Sequence, residues 1–145
     1  MSEKLKDYSV VIDLSLLWGQ MDAFQHVNNI IFFRFYESVR ITYFEKVGFL
    51  ETMEERGIGP ILASTQCKYI SPLTYPDTIH IGTRIGKLKD DRFTMEYCIV
   101  SQKHEQVAAL GTAEVVSYDY NREQKADLPK EVVKQIKDLE EGFPI

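Results

Sequence analysis

From Asn28 to about Val47 the chain carries a helical period that is apolar on more than one side, and few folds accommodate such a helix. Phe32, Phe35, Tyr36, Val39, Tyr43 and Val47 recur at i, i+3, i+4, i+7 and onward, which sets them on one face. Arg34, Glu37, Ser38, Arg40 and Glu45 occupy the opposite arc, yet Ile30, Phe33, Ile41 and Phe44 are interspersed among them. A surface helix has no need of that second apolar set. A helix wrapped by a sheet, or one lying near a subunit contact, does. Gly48 supplies a stop at its C-terminal end.

Most of the remaining chain reads as strands. Tyr8, Val10, Ile12, Leu14 and Leu16 alternate with Ser9, Asp13 and Ser15, the period of a half-buried strand. Four more follow beyond Gly57 and Gly59: Ile61 to Ile70, Ile79 to Ile85, Phe93 to Ile99, and Val107 to Tyr118. The connections Lys89-Asp90-Asp91 and Lys103-His104-Glu105 are short and polar, as antiparallel hairpins require. Leu128-Pro129 opens a last short helix with Val132, Val133, Ile136 and Leu139 at helical spacing. The 145 residues therefore predict one α+β domain (1–145), a five-stranded antiparallel sheet wrapped round a long central helix, with a short C-terminal helix. One layer of sheet round one helix leaves the outer face and the edges open, so pairing with a second copy is expected.

Charge and cysteine usage exclude several classes. A net charge of −5 lacks the basic face that phosphate neutralisation needs, so nucleic acid is not an expected partner. The longest apolar run, Ile30 to Phe33, is far too short to span a bilayer, and no apolar segment follows the opening Met-Ser-Glu-Lys-Leu-Lys. No membrane association and a cytoplasmic location are the simplest expectations. Cys67 and Cys98 lie far apart in strand segments and read as reduced thiols packed in the sheet. His80 and His104 fall on a strand surface and a hairpin tip, so neither a metal site nor a cofactor is expected.

The segment from Trp18 to Asn29 carries the chemistry. It sets one carboxylate, Asp22, six residues ahead of the predicted helix start. The first turn of a helix presents unpaired N–H groups and partial positive charge. A carbonyl aimed at those groups is polarised, and its developing oxyanion is stabilised there. A carboxylate on the other side can attack the carbonyl or activate a water. A thioester suits this minimal equipment, because its carbonyl is poorly resonance-stabilised and a thiolate leaves without a proton donor.

Trp18, Asp22-Ala23-Phe24-Gln25-His26-Val27-Asn28-Asn29 and Glu37-Ser38-Val39-Arg40 follow one another in a recognisable order. Lys68-Tyr69-Ile70-Ser71-Pro72-Leu73, Asp77 and Val115-Val116-Ser117-Tyr118-Asp119 continue it. Together they resemble the 4-hydroxybenzoyl-CoA thioesterase-like branch of the hotdog superfamily over nearly the whole chain. The resemblance implies a hotdog fold, a homodimer or homotetramer with its site at the dimer interface, and an acyl-CoA substrate or an acyl carrier protein thioester. It implies that Asp22 is the catalytic carboxylate, as general base or nucleophile, and that backbone N–H groups of Asn28 and Asn29 form the oxyanion hole. Three positions depart from the pattern. Gln25 stands where the family usually has Gly, Gln20 where many members have Asp, and Pro76 in the Gly position before Asp77.

Other candidates carry weaker signals. His26 is read as a substrate contact just ahead of the helix and Ser64 as lining the acyl pocket. Glu37 lies three residues from both Arg34 and Arg40, which favours an ion pair on the helix over catalysis. Arg84, Lys87, Lys89, Arg92 and Lys103 gather near strand ends and hairpins, where CoA phosphates would find cations. Two rival readings share the fold: an acyl-CoA-binding protein without turnover, and an enoyl-CoA hydratase or dehydratase.

Overall fold

Alternation along the sequence becomes the two faces of one antiparallel sheet. The computed structural model describes residues 3–143. Its strands are β1 (Val10–Ser15), β2 (Ile58–Tyr69), β3 (Thr78–Leu88), β4 (Arg92–Ser101), β5 (Gln106–Asp119) and β6 (Gln124–Lys125). The lateral order is β1-β3-β4-β5-β2, with the two-residue β6 added beside β5. The five expected strands are all present, and β6 makes the sheet six-stranded. β3, β4 and β5 form a meander, whereas β2 crosses to the far edge and pairs with β5, setting Cys67 opposite Gly111.

The long helix α1 spans Ile31–Lys46 and starts three residues later than the period predicts. Asn28 is the reason. Its side-chain Oδ1 accepts the Ile30 N–H at 3.1 Å and its carbonyl accepts the Ile31 N–H at 2.9 Å, so residues 28–30 form a turn that leads into the helix. A second helix, α2 (Phe49–Arg56), has no counterpart in the sequence pattern. It sits between Gly48 and Gly57, whose φ angles of 77° and 76° place both in the left-handed region. The last helix, α3, spans Lys130–Glu140 with Pro129 immediately ahead of it.

Phe32, Phe35, Tyr36, Val39 and Tyr43 of α1 pack onto inward residues of the sheet, among them Ile81, Phe93, Met95, Tyr97 and Val115. Tyr36 stacks on Tyr97 with ring centroids 4.6 Å apart. Of the second apolar set, Phe44 is buried, but Ile30 is 62% and Ile41 40% exposed. One chain thus leaves part of the helix uncovered. On the outer face, Leu5, Cys98 and Val100 form a small separate cluster beneath the N-terminal segment. Both cysteines are free thiols. This sheet round a central helix is the hotdog arrangement.

The expected pairing of Glu37 is only partly realised. Glu37 meets Arg34 at 3.9 Å, a loose exposed pair. Arg40 instead turns inward, where its Nη1 donates to the Tyr97 hydroxyl at 3.1 Å.

Candidate active site

After β1 the chain makes a short 3-10 turn at Trp18–Gln20 and then a tight excursion closed by an antiparallel bridge between Met21 and Val27. Inside it, the Asp22 N–H donates to the His26 carbonyl and the Gln25 N–H to the Asp22 carbonyl, both at 2.9 Å. Asp22 Oδ1 accepts the Phe24 N–H at 2.9 Å, the local bond that loop aspartates commonly make. The bond engages one carboxylate oxygen and fixes the side chain. The Val27 N–H, bonded to the Leu73 carbonyl at 2.8 Å, ties the excursion to the segment that follows β2. Gln25 takes a φ of 61°, a left-handed conformation, which explains why Gly suits this position.

Asp22, His26 and Asn29 border one cleft of about 450 Å³, walled by Phe24, Phe32, Tyr69 and Pro72. Asp22 is half-buried, His26 and Asn29 are exposed, and Phe24 is 81% exposed at the mouth. Of the two amides expected to form the oxyanion hole, that of Asn28 is engaged with the Gln20 carbonyl at 2.9 Å. The Asn29 N–H meets no backbone or side-chain acceptor among the described residues. Gln20 therefore acts in the architecture of the loop, since its side chain accepts the Leu17 N–H at 2.8 Å while its carbonyl holds Asn28.

Ser64 lies away from this cleft. It is exposed on β2 beside a register shift and borders a separate depression with Lys87, Thr94 and Glu96. The basic residues near the strand ends are largely engaged within the chain. Arg84 meets Glu96 at 2.7 Å and lies over the Tyr8 ring, and Arg92 pairs with Asp91 and Glu114. Lys103 Nζ donates to the Thr74 carbonyl at 3.3 Å. Among the described residues there is no group of three His, Cys, Asp or Glu placed to hold a metal ion. No helix among them is long and apolar enough to cross a membrane.

Tyr69 is a site residue that periodicity alone does not single out. It sits at the end of β2, its ring edge-on to Phe32 with centroids 5.1 Å apart, and its hydroxyl donates to the Asn29 carbonyl at 2.7 Å. Partial burial and the nearby Cys67 push its pKa up, so the hydroxyl keeps its proton and remains a donor at neutral pH.

Similarities to known proteins agree with this architecture. Among curated proteins, the chain is 27% identical over 90 residues to the uncharacterized protein YsmA of Bacillus subtilis. The match spans 62% of this chain and about 60% of that relative's length. Among solved structures, a thioesterase from Thermus thermophilus complexed with coenzyme A and zinc has a TM-score of 0.83 at 24% identity, covering 97% of this chain and 99% of the other. A 1,4-dihydroxy-2-naphthoyl-CoA thioesterase from Synechocystis has a TM-score of 0.79 at 16% identity, with 90% and 96% covered. At such identities these structures speak to the fold. Residues 16–136 match the model of the thioesterase-like superfamily, and the chain belongs to that superfamily.

Proposed function

We propose that this protein hydrolyses acyl-CoA thioesters, or the matching acyl carrier protein thioesters, in the cleft between the Asp22 excursion and the end of β2. The observation that carries the reading is the presence of a fixed carboxylate, Asp22, and an open backbone amide, Asn29, on one aromatic-walled cleft. A thioester carbonyl entering it would turn its oxygen to the Asn29 N–H. As general base, Asp22 takes a proton from water; the hydroxide forms the new C–O bond and the carbonyl electrons move to oxygen. Collapse breaks the C–S bond; the thiolate leaves and takes a proton from solvent, to which Asp22 returns the proton it removed. As nucleophile, Asp22 would form the C–O bond itself and expel the thiolate as the C–S bond breaks, giving a mixed anhydride that water then opens to the free acid and the Asp22 carboxylate. A single oxyanion donor in such a place is worth roughly a hundredfold to a thousandfold in rate. His26, on the same wall, is within the reach of a substrate contact.

The reading includes a dimer at least. Among the described residues the outer edge of β2 has no partner strand, and Ile61 and Leu62 on it and Ile70 just beyond it are exposed, as are Ile30 in the turn ahead of α1 and Ile41 within the helix. A second copy pairing there would cover them and complete the walls of the cleft. Ser64, remote from Asp22 of its own chain, would be carried toward that interface.

The test is free-thiol release from a panel of aliphatic and aromatic acyl-CoAs, with purified wild type and Asp22→Asn. Release by wild type and its near-complete loss in a folded variant are expected. Recovery of intact acyl-CoA after long incubation with concentrated wild type would instead mean binding without turnover, and wild-type rates from Asp22→Asn would remove Asp22 from the reaction.

A further inference from the structure

We infer that Tyr69 is a positioning residue for the oxyanion donor, acting across the cleft through the peptide that follows Asn29. The inference rests on the hydrolytic reading above and adds a role for a side chain on the opposite wall. Besides the Asn28 N–H bond to the Gln20 carbonyl, three bonds hold the turn that presents the open Asn29 N–H. The carbonyl of Asn28, in the same peptide as that N–H, accepts from the Ile31 N–H at 2.9 Å. The next peptide is held at both ends: its N–H, on Ile30, donates to Asn28 Oδ1 at 3.1 Å, and its carbonyl, on Asn29, accepts from the Tyr69 hydroxyl at 2.7 Å.

Two of these bonds are made within the turn itself and move with it. The Asn28 N–H also ties the turn to the Gln20 carbonyl of the preceding loop at 2.9 Å, but among the described residues the Tyr69 bond is the one hydrogen bond that joins the turn to the sheet, so it sets where the turn sits relative to β2 and the cleft. Tyr69 is itself well seated. Its strand pairs with β5 opposite Ala109, and the next residue, Ile70, donates its N–H to the Ala108 carbonyl at 2.8 Å. The ring lies against Phe32, in the first turn of α1. The hydroxyl thus transmits the position of a rigid sheet to the amide that would meet the oxyanion. Donation to one end of a peptide whose other end also donates polarises both bonds in the same sense, which stiffens the pair. Displacement of an oxyanion donor by a fraction of an ångström weakens transition-state binding more than ground-state binding, because charge is concentrated on the oxygen only at the transition state.

Tyr69→Phe keeps the ring and its packing on Phe32 and removes only the hydroxyl. With an acyl-CoA that wild type hydrolyses, kcat should fall about tenfold while KM stays within about twofold, the pattern of an interaction made only in the transition state. The melting temperature should stay within about 3 °C, as for a lost exposed hydrogen bond. Asn28→Ala removes the side-chain bond at the other end of the same peptide, so the loss in the Tyr69→Phe, Asn28→Ala double variant should be smaller than the product of the two single losses. A kcat for Tyr69→Phe equal to wild type overturns the inference, as do strictly multiplicative losses or a fall in rate that appears only with a fall in melting temperature. If wild type releases no thiol from any acyl-CoA, the hydrolytic reading itself fails and this inference falls with it, a result distinct from an active wild type with an equally active Tyr69→Phe.

Discussion

Gln25 donates its backbone N–H to the carbonyl of Asp22 at 2.9 Å while holding a φ of 61°. The bond closes the excursion that presents the Asp22 carboxylate, and a residue with a Cβ is strained in the conformation it demands. Gln25→Gly should relieve that strain. The net gain, after the extra freedom of glycine in the unfolded chain, is about 0.5–1 kcal/mol. Thermal unfolding should show a midpoint higher by roughly 2–4 °C. An unchanged or lowered midpoint would show that the glutamine side chain contributes contacts that outweigh the backbone cost.

On β5, Gly111 leaves the space that Tyr36 fills. A Cβ built there would lie 2.6 Å from two ring carbons of Tyr36 and 2.8 Å from its hydroxyl oxygen. Tyr36 cannot easily retreat, because its other face is stacked on Tyr97 and its hydroxyl meets Cys67 Sγ at 3.3 Å. Gly111→Ala should therefore destabilise by roughly 1–3 kcal/mol, the range for overpacking a filled core. Urea unfolding would read it as a lowered midpoint at constant slope. The same substitution made beside Tyr36→Leu should cost less, since the ring that resists it is gone.

The central helix, the strands and the Asp22 segment are legible in the sequence because each leaves a periodic or local signal. Phe32, Phe35, Tyr36 and Val39 recur at helical spacing, and all are buried. Helix α2 leaves no such trace, because eight residues offer little period and the two glycines that bracket it read equally well as loop. Arg40 departs from its expected role for a different reason. Spacing places it one turn from Glu37, but whether a long side chain turns out or in depends on Tyr97, which is 57 residues away in the chain. The same limit applies at the cleft. Asp22 and Asn29 belong to one local motif, whereas Tyr69 joins them only through the pairing of β2 with β5.

Glu140, at the end of α3, is buried with a relative exposure of 3%. Its Oε2 accepts the Tyr43 hydroxyl at 2.6 Å and the Ser9 hydroxyl at 2.5 Å. The contact joins the C-terminal helix to α1 and to the residue just ahead of β1. Burial, reinforced by Glu140, pushes the Tyr43 pKa up, so that hydroxyl is a donor throughout the physiological range. Tyr43→Phe should leave the carboxylate short of a donor and cost about 1–3 kcal/mol. Adding Glu140→Leu to Tyr43→Phe should restore part of that loss, because an apolar group needs no donor. Denaturant unfolding of the single and double variants decides it, and a double variant less stable than Tyr43→Phe alone would refute the account.

Cys98 and Tyr8 meet on the outer face of the sheet, and burial pushes the thiol up to about 11 and the phenol up to about 12. Their ordinary values are 9.0 and 10.0, and both groups are neutral when protonated. As pH rises past 9 the unfolded chain therefore releases these protons first, and the folded chain binds more protons across the interval. Stability should be whole below that interval and fall as pH climbs through the folded-state values. Tyr36 and Tyr43, also raised by burial, add to the same trend, so the slope alone does not identify its source. Cys98→Ala isolates one contribution. Urea unfolding at intervals from about pH 8 to 11 should give a shallower decline for that variant than for wild type. Parallel declines would mean that the Cys98 thiol ionises as readily in the folded protein as in the unfolded chain, against the burial that the outer cluster imposes on it.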